Sequence, residues 1–322
     1  MMYASVSHTR RQMLFGMAGA ALAYTQPRNR IYSPLLAAHT SLWLMEAALR
    51  NVRLGAILDE AFTGIRRAGY GRVELTSDFL APELRARTLE SLHANKLQPA
   101  IITDTGSLWE KAIAEETRGR ILETARLMSR WDTRFIDFHP ADKPDGAPKT
   151  AEELETQAYQ LNRMGQDLQP TGVRLMVGHH LTEMQEDARE WRYTVAHTES
   201  GLVSFCLDLD WAVRAGMRPL PLLDTAGSRL RSLPLRNPLN GVSQESLRDG
   251  DIEMAPVARF LRQSSYDGYL VVDLSANPRT PRQYSLTEAL SRSRWYMQEV
   301  FGFRPGSPPV DMGPHVRERK LG

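Results

Sequence analysis

Two acidic residues stand directly after an apolar stretch in the middle of the chain, where they could carry chemistry. Residues 203–207 (VSFCL) are largely apolar, Asp208 follows them, and Asp210 comes two residues later. Parallel α/β proteins place catalytic groups at the C-terminal ends of buried strands, and we favour this interpretation of Asp208. The alternative is a purely structural role, because an aspartate at this place also serves as the N-cap of a following helix.

Polar residues follow the other apolar stretches in the same way. If the strands are parallel, these residues share one pocket, in which carboxylates and imidazoles would suit a divalent cation and proton transfer next to a carbonyl. Each residue also has a structural alternative as an ion-pair partner, a loop residue or a helix cap. The predicted pocket contains Glu74, Asp104, His139, His179 or His180, Glu183, Asp208, Asp210, Arg236, Asn237 and Asp273.

The elements that would position these residues alternate regularly between strand and helix. Segments with helical apolar spacing separate about eight strand-like segments, and no domain linker interrupts the series. Eight such units favour closure into a single-domain (β/α)8 TIM barrel over an open sheet. The predicted strands cover residues 35–43, 71–75, 98–103, 134–138, 172–177, 203–207, 230–235 and 269–274.

Composition excludes several classes of function. The 322 residues include 40 basic and 38 acidic side chains, a formal net charge of +2, which gives no strong field for nucleic acid or an anionic membrane. The only cysteine is Cys206, so an intrachain disulfide and a cysteine metal cluster are both excluded. We expect Cys206 to be a small buried apolar residue.

The N-terminus has the pattern of a twin-arginine export signal. Arg10 and Arg11 precede an apolar run at residues 14–23, which ends in a small-x-small cleavage pattern at residues 21–23. That run is about half the roughly 20 residues needed to span a bilayer, so we expect a cleaved signal and not an anchor. The sequence thus predicts a signal at residues 1–23, the barrel at 24–304, a C-terminal extension at 305–322, and a periplasmic or secreted protein with no membrane association after cleavage.

Several short segments, taken in order, resemble the xylose isomerase-like, sugar phosphate isomerase/epimerase superfamily, specifically its exported members. The resemblance covers about residues 32–303 and implies an eight-stranded barrel. It also implies a divalent metal (Mn²⁺, Mg²⁺ or Zn²⁺), a small-molecule sugar or keto-sugar, and proton abstraction beside a carbonyl that leads to isomerisation, epimerisation or elimination. The segments are AFTGIRRAGYGRVEL at 61–75, LNRMG at 161–165, HH at 179–180 with EM at 183–184, DLDW at 208–211, LRN at 235–237 with GV at 241–242, and DGDI at 249–252.

The metal ligands that the resemblance implies are only partly present. Relatives place Glu or His, then Asp, His and Glu at the ends of strands five to eight, where this chain has Gly178, Asp208, Pro234 and Asp273. Glycine and proline side chains cannot bind a metal, and aspartate at position 273 is one methylene shorter than glutamate.

Three interpretations follow. A rearranged set could hold the metal, with Asp208 and Asp273 joined by His179 or His180 and by Glu183. Alternatively, the pocket could work without metal, an aspartate or histidine serving as the base and Arg236 stabilising an enolate-like oxygen. The third interpretation is a non-catalytic carbohydrate-binding protein on an isomerase scaffold.

The sequence favours an enzyme, namely a sugar isomerase, epimerase or keto-sugar lyase. We expect no nucleic-acid partner, and the sequence is compatible with a homo-oligomer. The catalytic candidates are Glu74, His139, His180, Glu183 and Arg236, and the metal candidates are Asp208, Asp273 and His179.

Overall fold

Eight parallel strands form a closed barrel in the computed structural model, which describes residues 31–302. The strands pair in sequence order, and β1 closes the barrel on β8 through Leu35 beside Tyr269. The predicted (β/α)8 fold is thereby confirmed. The strands are β1 (Leu35–His39), β2 (Arg72–Thr76), β3 (Gln98–Gly106), β4 (Phe135–Pro140), β5 (Arg174–Val177), β6 (Val203–Cys206), β7 (Leu230–Leu235) and β8 (Tyr269–Val272).

Ten α-helices among residues 31–302 surround the barrel. Helix α5 shows how the sequence starts them: Thr150 accepts a hydrogen bond from the Glu153 backbone, and the Glu153 side chain accepts one from the Thr150 backbone. Left-handed backbone at residues 186–188 interrupts α6. The helices are α1 (Ser41–Leu49), α2 (Leu54–Arg67), α3 (Arg85–Ala94), α4 (Lys111–Met128), α5 (Ala151–Leu168), α6 (Leu181–His197), α7 (Leu209–Arg214), α8 (Pro219–Ala226), α9 (Met254–Gln263) and α10 (Leu286–Phe301).

The first strand is shorter than the sequence predicted. We expected it to run over residues 35–43, but β1 ends at His39 and α1 begins at Ser41. The reason is periodicity: Leu42, Trp43 and Glu46 are buried together on one helical face, which an extended chain would not allow. This turn brings His39 and Ser41 to the C-terminal mouth of the barrel.

Two apolar layers hold the fold. The larger one lies between the strands and the helices, and the smaller one fills the barrel itself. Inside the barrel, the rings of Phe135 and Tyr269 meet edge to face at 6.1 Å, and small side chains such as Ala37 and Cys206 lie among the buried residues. Cys206 is 1% exposed, as predicted from its apolar strand.

The predicted export signal and C-terminal extension lie outside the described residues. Within residues 31–302, no helix combines the length and the apolar character needed to cross a membrane.

Candidate active site

Polar side chains form a buried layer just below the C-terminal mouth of the barrel. Thr103 on β3 donates a hydrogen bond to Glu74 Oε1 at 2.6 Å, and His39 Nε2 lies 3.6 Å from the same oxygen. Burial and the neighbouring charge of Asp137 raise the pKa of Glu74 well above its usual value. Glu74 therefore lies in this layer as a fully buried carboxyl group that favours its protonated form.

His139, which is partly buried, and Asp137, which is fully buried, form a pair on β4. His139 Nε2 lies 3.2 Å from Asp137 Oδ2, and the Asp137 side chain is fully buried. Burial lowers the pKa of His139, but the charge and hydrogen bond of Asp137 outweigh this and leave the pKa raised. His139 Nδ1 is also buried and has no hydrogen-bond partner among the described residues. This nitrogen is therefore an unpaired buried polar atom, a state that calls for an explanation because buried polar atoms are usually hydrogen-bonded.

Gly178 makes room for the His139 ring. A Cβ atom at position 178 would lie 2.3 Å from His139 Nε2 and 2.4 Å from its Cε1, closer than any real contact. The imidazole from β4 thus fills the space that a side chain after β5 would need. Gly178 cannot bind a metal, but its lack of a side chain leaves the space that the His139 imidazole occupies.

Arg236 joins two carboxylates at the mouth. Its Nε and Nη2 donate to Asp273 Oδ2 at 2.8 and 2.5 Å, and its Nη1 lies 3.8 Å from Asp208 Oδ2. Burial raises the pKa of Asp208 to about 6, although Arg236 opposes the shift. Burial would also raise the pKa of Asp273, but the closer contact with Arg236 leaves it lowered.

The two adjacent histidines have different surroundings. His179 is 1% exposed, its Nε2 accepts a hydrogen bond from the Asp208 backbone at 3.0 Å, and its Nδ1 lies 3.2 Å from the His180 carbonyl oxygen. These partners place the proton of a neutral His179 on Nδ1. His180 lies nearer the site, with its ring 4.8 Å from that of His139, and burial lowers its pKa to about 4.

Glu183 belongs to a buried ion group beside the mouth. Its Oε2 accepts a hydrogen bond from the His180 backbone, and its Oε1 lies 4.0 Å from Lys149 Nζ. Lys149 is 1% exposed and donates to Glu190 Oε2 at 3.0 Å. Glu183 thus has structural partners in the start of α6, and its predicted catalytic role stays a prediction.

Replacing Lys149 by methionine is expected to lower the free energy of unfolding by about 3–5 kcal/mol, because buried Glu190 and Glu183 would lose their cation. Lys143→Met is the matched control, since Lys143 pairs with Glu153 near the surface and the loss of such a pair is expected to change stability far less. Urea unfolding of both variants measures the difference. Equal midpoints would contradict the structural importance of the buried group.

Three other residues of the predicted pocket have partners of their own. Asp104 pairs with Arg120 at 2.5 Å, and Asp210 pairs with Arg214 at 2.7 Å. The Asn237 side chain bonds to the backbone of the loop after β7 at both of its ends. These contacts fix the loops around the mouth.

The side chains at the mouth do not form a site for the divalent cation that the sequence predicted. Among residues 31–302, no group of three or more His, Cys, Asp or Glu side chains is arranged to hold a metal ion. The physical reason lies in the present partners: Arg236 lies against both aspartates, and both His179 nitrogens face groups of the protein. As they stand, these side chains do not fit a divalent cation.

The structure adds His39, Thr103 and Asp137 to the site residues that the sequence predicted. A signal for Asp137 was available, because alternate residues of a strand face the same side and Asp137 is two residues before His139. Thr103 and His39 could not be linked to Glu74 without the register of β1, β2 and β3.

A cavity of about 220 Å³ lies beside the mouth, next to α1 and the segment after β8. Its lining includes Trp43, Glu46, Arg282 and Tyr284, and it includes none of the predicted catalytic or metal residues. Glu46 is paired with both Arg50 and Arg282 there, so the charges of this cavity are largely neutralised within the protein.

No family model matches the chain. Among curated proteins, it is similar to an inosose dehydratase from Clostridium beijerinckii, with 23% identity over 172 residues. The match covers 47% of this chain and 56% of the relative, so the chain spans just over half the length of that relative.

Solved structures share the fold over most of the described chain. A sugar phosphate isomerase/epimerase from Parabacteroides distasonis aligns with a TM-score of 0.65 and 13% identity, covering 84% of this chain and 96% of that one. A D-psicose 3-epimerase solved in the presence of D-fructose has a TM-score of 0.62 and 13% identity, covering 84% and 100%. A xylose isomerase-like TIM barrel protein from Mycobacterium smegmatis, in complex with magnesium, has a TM-score of 0.62 and 15% identity, covering 84% and 98%. The chain therefore has the (β/α)8 fold of the xylose isomerase-like sugar phosphate isomerases and epimerases.

Proposed function

We propose that this protein is a sugar isomerase, epimerase or keto-sugar lyase that removes a proton from the carbon beside a carbonyl group. The observation that carries the proposal is the His139 imidazole at the barrel mouth, backed by buried Asp137 and with Nδ1 free of any partner in residues 31–302. We also propose export through the twin-arginine signal, for which the N-terminal sequence is the support.

His139 is the base in this proposal. When Nε2 carries the ring proton and donates it to Asp137, the lone pair of Nδ1 has no partner of its own. In this proposal, substrate binding exposes the buried Nδ1, which then takes the proton. Asp137 then stabilises the imidazolium that forms when Nδ1 takes the proton. Asp137 is suited to this role because contact with His139 holds its pKa below the usual value, although burial alone would raise it.

Arg236 supplies the positive charge for the oxygen that becomes negative. Removing a proton beside a carbonyl places negative charge on the carbonyl oxygen, and a preorganised cation in a buried site stabilises that charge strongly. Asp208, whose pKa burial raises to about 6, is suited to return a proton near neutral pH.

The similar proteins support a sugar as the substrate. The curated relative is named for inosose, and the D-psicose 3-epimerase was solved in the presence of D-fructose. A cyclic keto-polyol and a ketohexose both have a hydroxyl-bearing carbon beside a carbonyl. We therefore propose a keto-sugar or keto-polyol of this size.

Proton abstraction can be tested before the natural substrate is known. The purified protein would be incubated in D₂O with inosose, D-fructose, D-psicose and D-tagatose, and deuterium at the carbon beside the carbonyl would be followed by NMR. We expect incorporation with at least one of these ketones, with or without net conversion. His139→Gln is the matched variant, and it should slow the incorporation strongly.

The competing outcome is binding without exchange. If calorimetry detected a ketone or sugar bound to the protein while no deuterium entered it, the protein would be a carbohydrate-binding protein on this scaffold. Exchange that persisted unchanged in His139→Gln would refute the assignment of the base and leave the reaction class intact.

A further inference from the structure

Arg236 lies between two buried aspartates, Asp208 at the end of β6 and Asp273 at the end of β8. Its guanidinium donates twice to Asp273 Oδ2, and its Nη1 lies 3.8 Å from Asp208 Oδ2. The two aspartate side chains are only 2% and 6% exposed, whereas the arginine side chain is 21% exposed. The cation is thus held on its inner side by carboxylates and keeps an outer side open.

Other donors fix the second oxygen of each carboxylate. Ser41 donates to Asp273 Oδ1 at 2.7 Å, and the Asp210 backbone donates to Asp208 Oδ1 at 2.9 Å. Each aspartate therefore turns its Oδ2 towards Arg236. The Trp211 ring lies near the same guanidinium, with its centroid 5.7 Å from the arginine Cζ.

A divalent cation would need the oxygens that Arg236 already contacts. Mg²⁺ and Ca²⁺ bind carboxylate oxygens at about 2.0–2.6 Å, and the Arg236 Nε and Nη2 atoms already lie 2.8 and 2.5 Å from Asp273 Oδ2. A second cation at this place would also be repelled by the arginine charge. A divalent cation therefore cannot bind between Asp208 and Asp273 while Arg236 occupies its present position.

We infer that Arg236 takes the place of a divalent cation: it contacts both Asp208 and Asp273, offsets one of their two negative charges, and offers its open side to two neighbouring oxygens of the substrate. A guanidinium has five N–H groups in a planar fork, so it can bind two adjacent oxygens at once, as in an α-hydroxyketone. The substrate contact rests on the proposed function. The exclusion of metal does not.

The test is Mn²⁺ binding by the full chain without substrate, measured by electron paramagnetic resonance and calorimetry. The wild-type protein is expected to bind no stoichiometric Mn²⁺ at about 100 μM, where a site worth roughly 5.5 kcal/mol would be half filled. Arg236→Met removes the charge and is expected to gain 1:1 binding at least about tenfold tighter than any wild-type binding. Adding Asp208→Asn to that variant should remove the gain.

Arg214→Met is the matched control, because Arg214 pairs with Asp210 and also lies near the Trp211 ring. It should leave Mn²⁺ binding as in the wild type, and so should Arg236→Lys, which keeps the charge. Circular dichroism and thermal melting would verify that each variant is folded.

Stoichiometric Mn²⁺ binding by the wild-type protein would overturn the inference, and this holds even if Arg236→Met does not fold. A folded Arg236→Met variant with no gain in binding would overturn it as well. Because neither measurement uses a sugar, failure here is distinguishable from failure of the proposed reaction. In that reaction, treatment with a chelator is expected to leave the deuterium exchange rate unchanged.

Discussion

Replacing His139 by glutamine is expected to slow deuterium exchange into the ketone by about 10²- to 10⁴-fold, the usual contribution of a general base. Glutamine keeps a polar side chain of similar reach but cannot take up a proton. The loss should fall on kcat, because the change removes proton transfer, and the affinity for the ketone should change little. Initial rates of exchange at saturating ketone measure the effect.

His93→Gln is the matched control, because His93 is exposed on α3, and it should exchange at the wild-type rate. Asp137→Asn should also slow exchange, since an asparagine cannot stabilise the imidazolium as a carboxylate does. A His139→Gln variant with wild-type kcat would eliminate His139 as the base and direct attention to Asp208.

Replacing Gly178 by alanine is expected to reduce exchange nearly as far as the loss of His139 itself. The added Cβ would lie 2.3 Å from His139 Nε2, so the ring must move and its contact with Asp137 must break. Overpacking of a filled interior typically costs about 1–3 kcal/mol, so the free energy of unfolding should also fall by this amount. Urea unfolding and exchange rates measure the two effects on the same protein.

A double-mutant cycle of Gly178→Ala with His139→Ala isolates the part of the stability loss that comes from the clash between the new Cβ and the imidazole. Once the imidazole is gone, Gly178→Ala should cost little stability, because the space that its Cβ needs is empty. Gly201→Ala is the control, since no atom lies within 4 Å of a Cβ there. If Gly178→Ala cost the same with and without the imidazole, the ring would not be what limits position 178.

Much of the barrel and the general place of the site could be predicted from the sequence. Alternation of apolar strand segments with amphipathic helices indicated eight β/α units, and parallel strands in a barrel must end at a common mouth. That rule alone brings His139, Asp208, Arg236 and Asp273 to one end of the molecule, although they lie at the ends of four different strands. The order of the elements is local information, and local information is what a single sequence expresses most directly.

The partners of these residues were decided by the tertiary structure. Arg236 could have faced solvent, yet the neighbouring positions of β6, β7 and β8 bring it between Asp208 and Asp273. In the sequence, Gly178 stands where a metal ligand was expected. In the fold, its lack of a side chain makes room for the His139 ring.

The sequence by itself thus determined the class of fold and the end of the barrel at which polar groups gather. Only the tertiary structure decided that Asp137 supports His139, that Lys149 pairs with Glu190 beside Glu183, and that a guanidinium joins the two mouth aspartates. The physical reason is one of scale. Strand and helix periods repeat within a few residues, whereas these pairings depend on strand register and side-chain reach across the barrel, and a difference of about 1 Å separates a hydrogen bond from no bond.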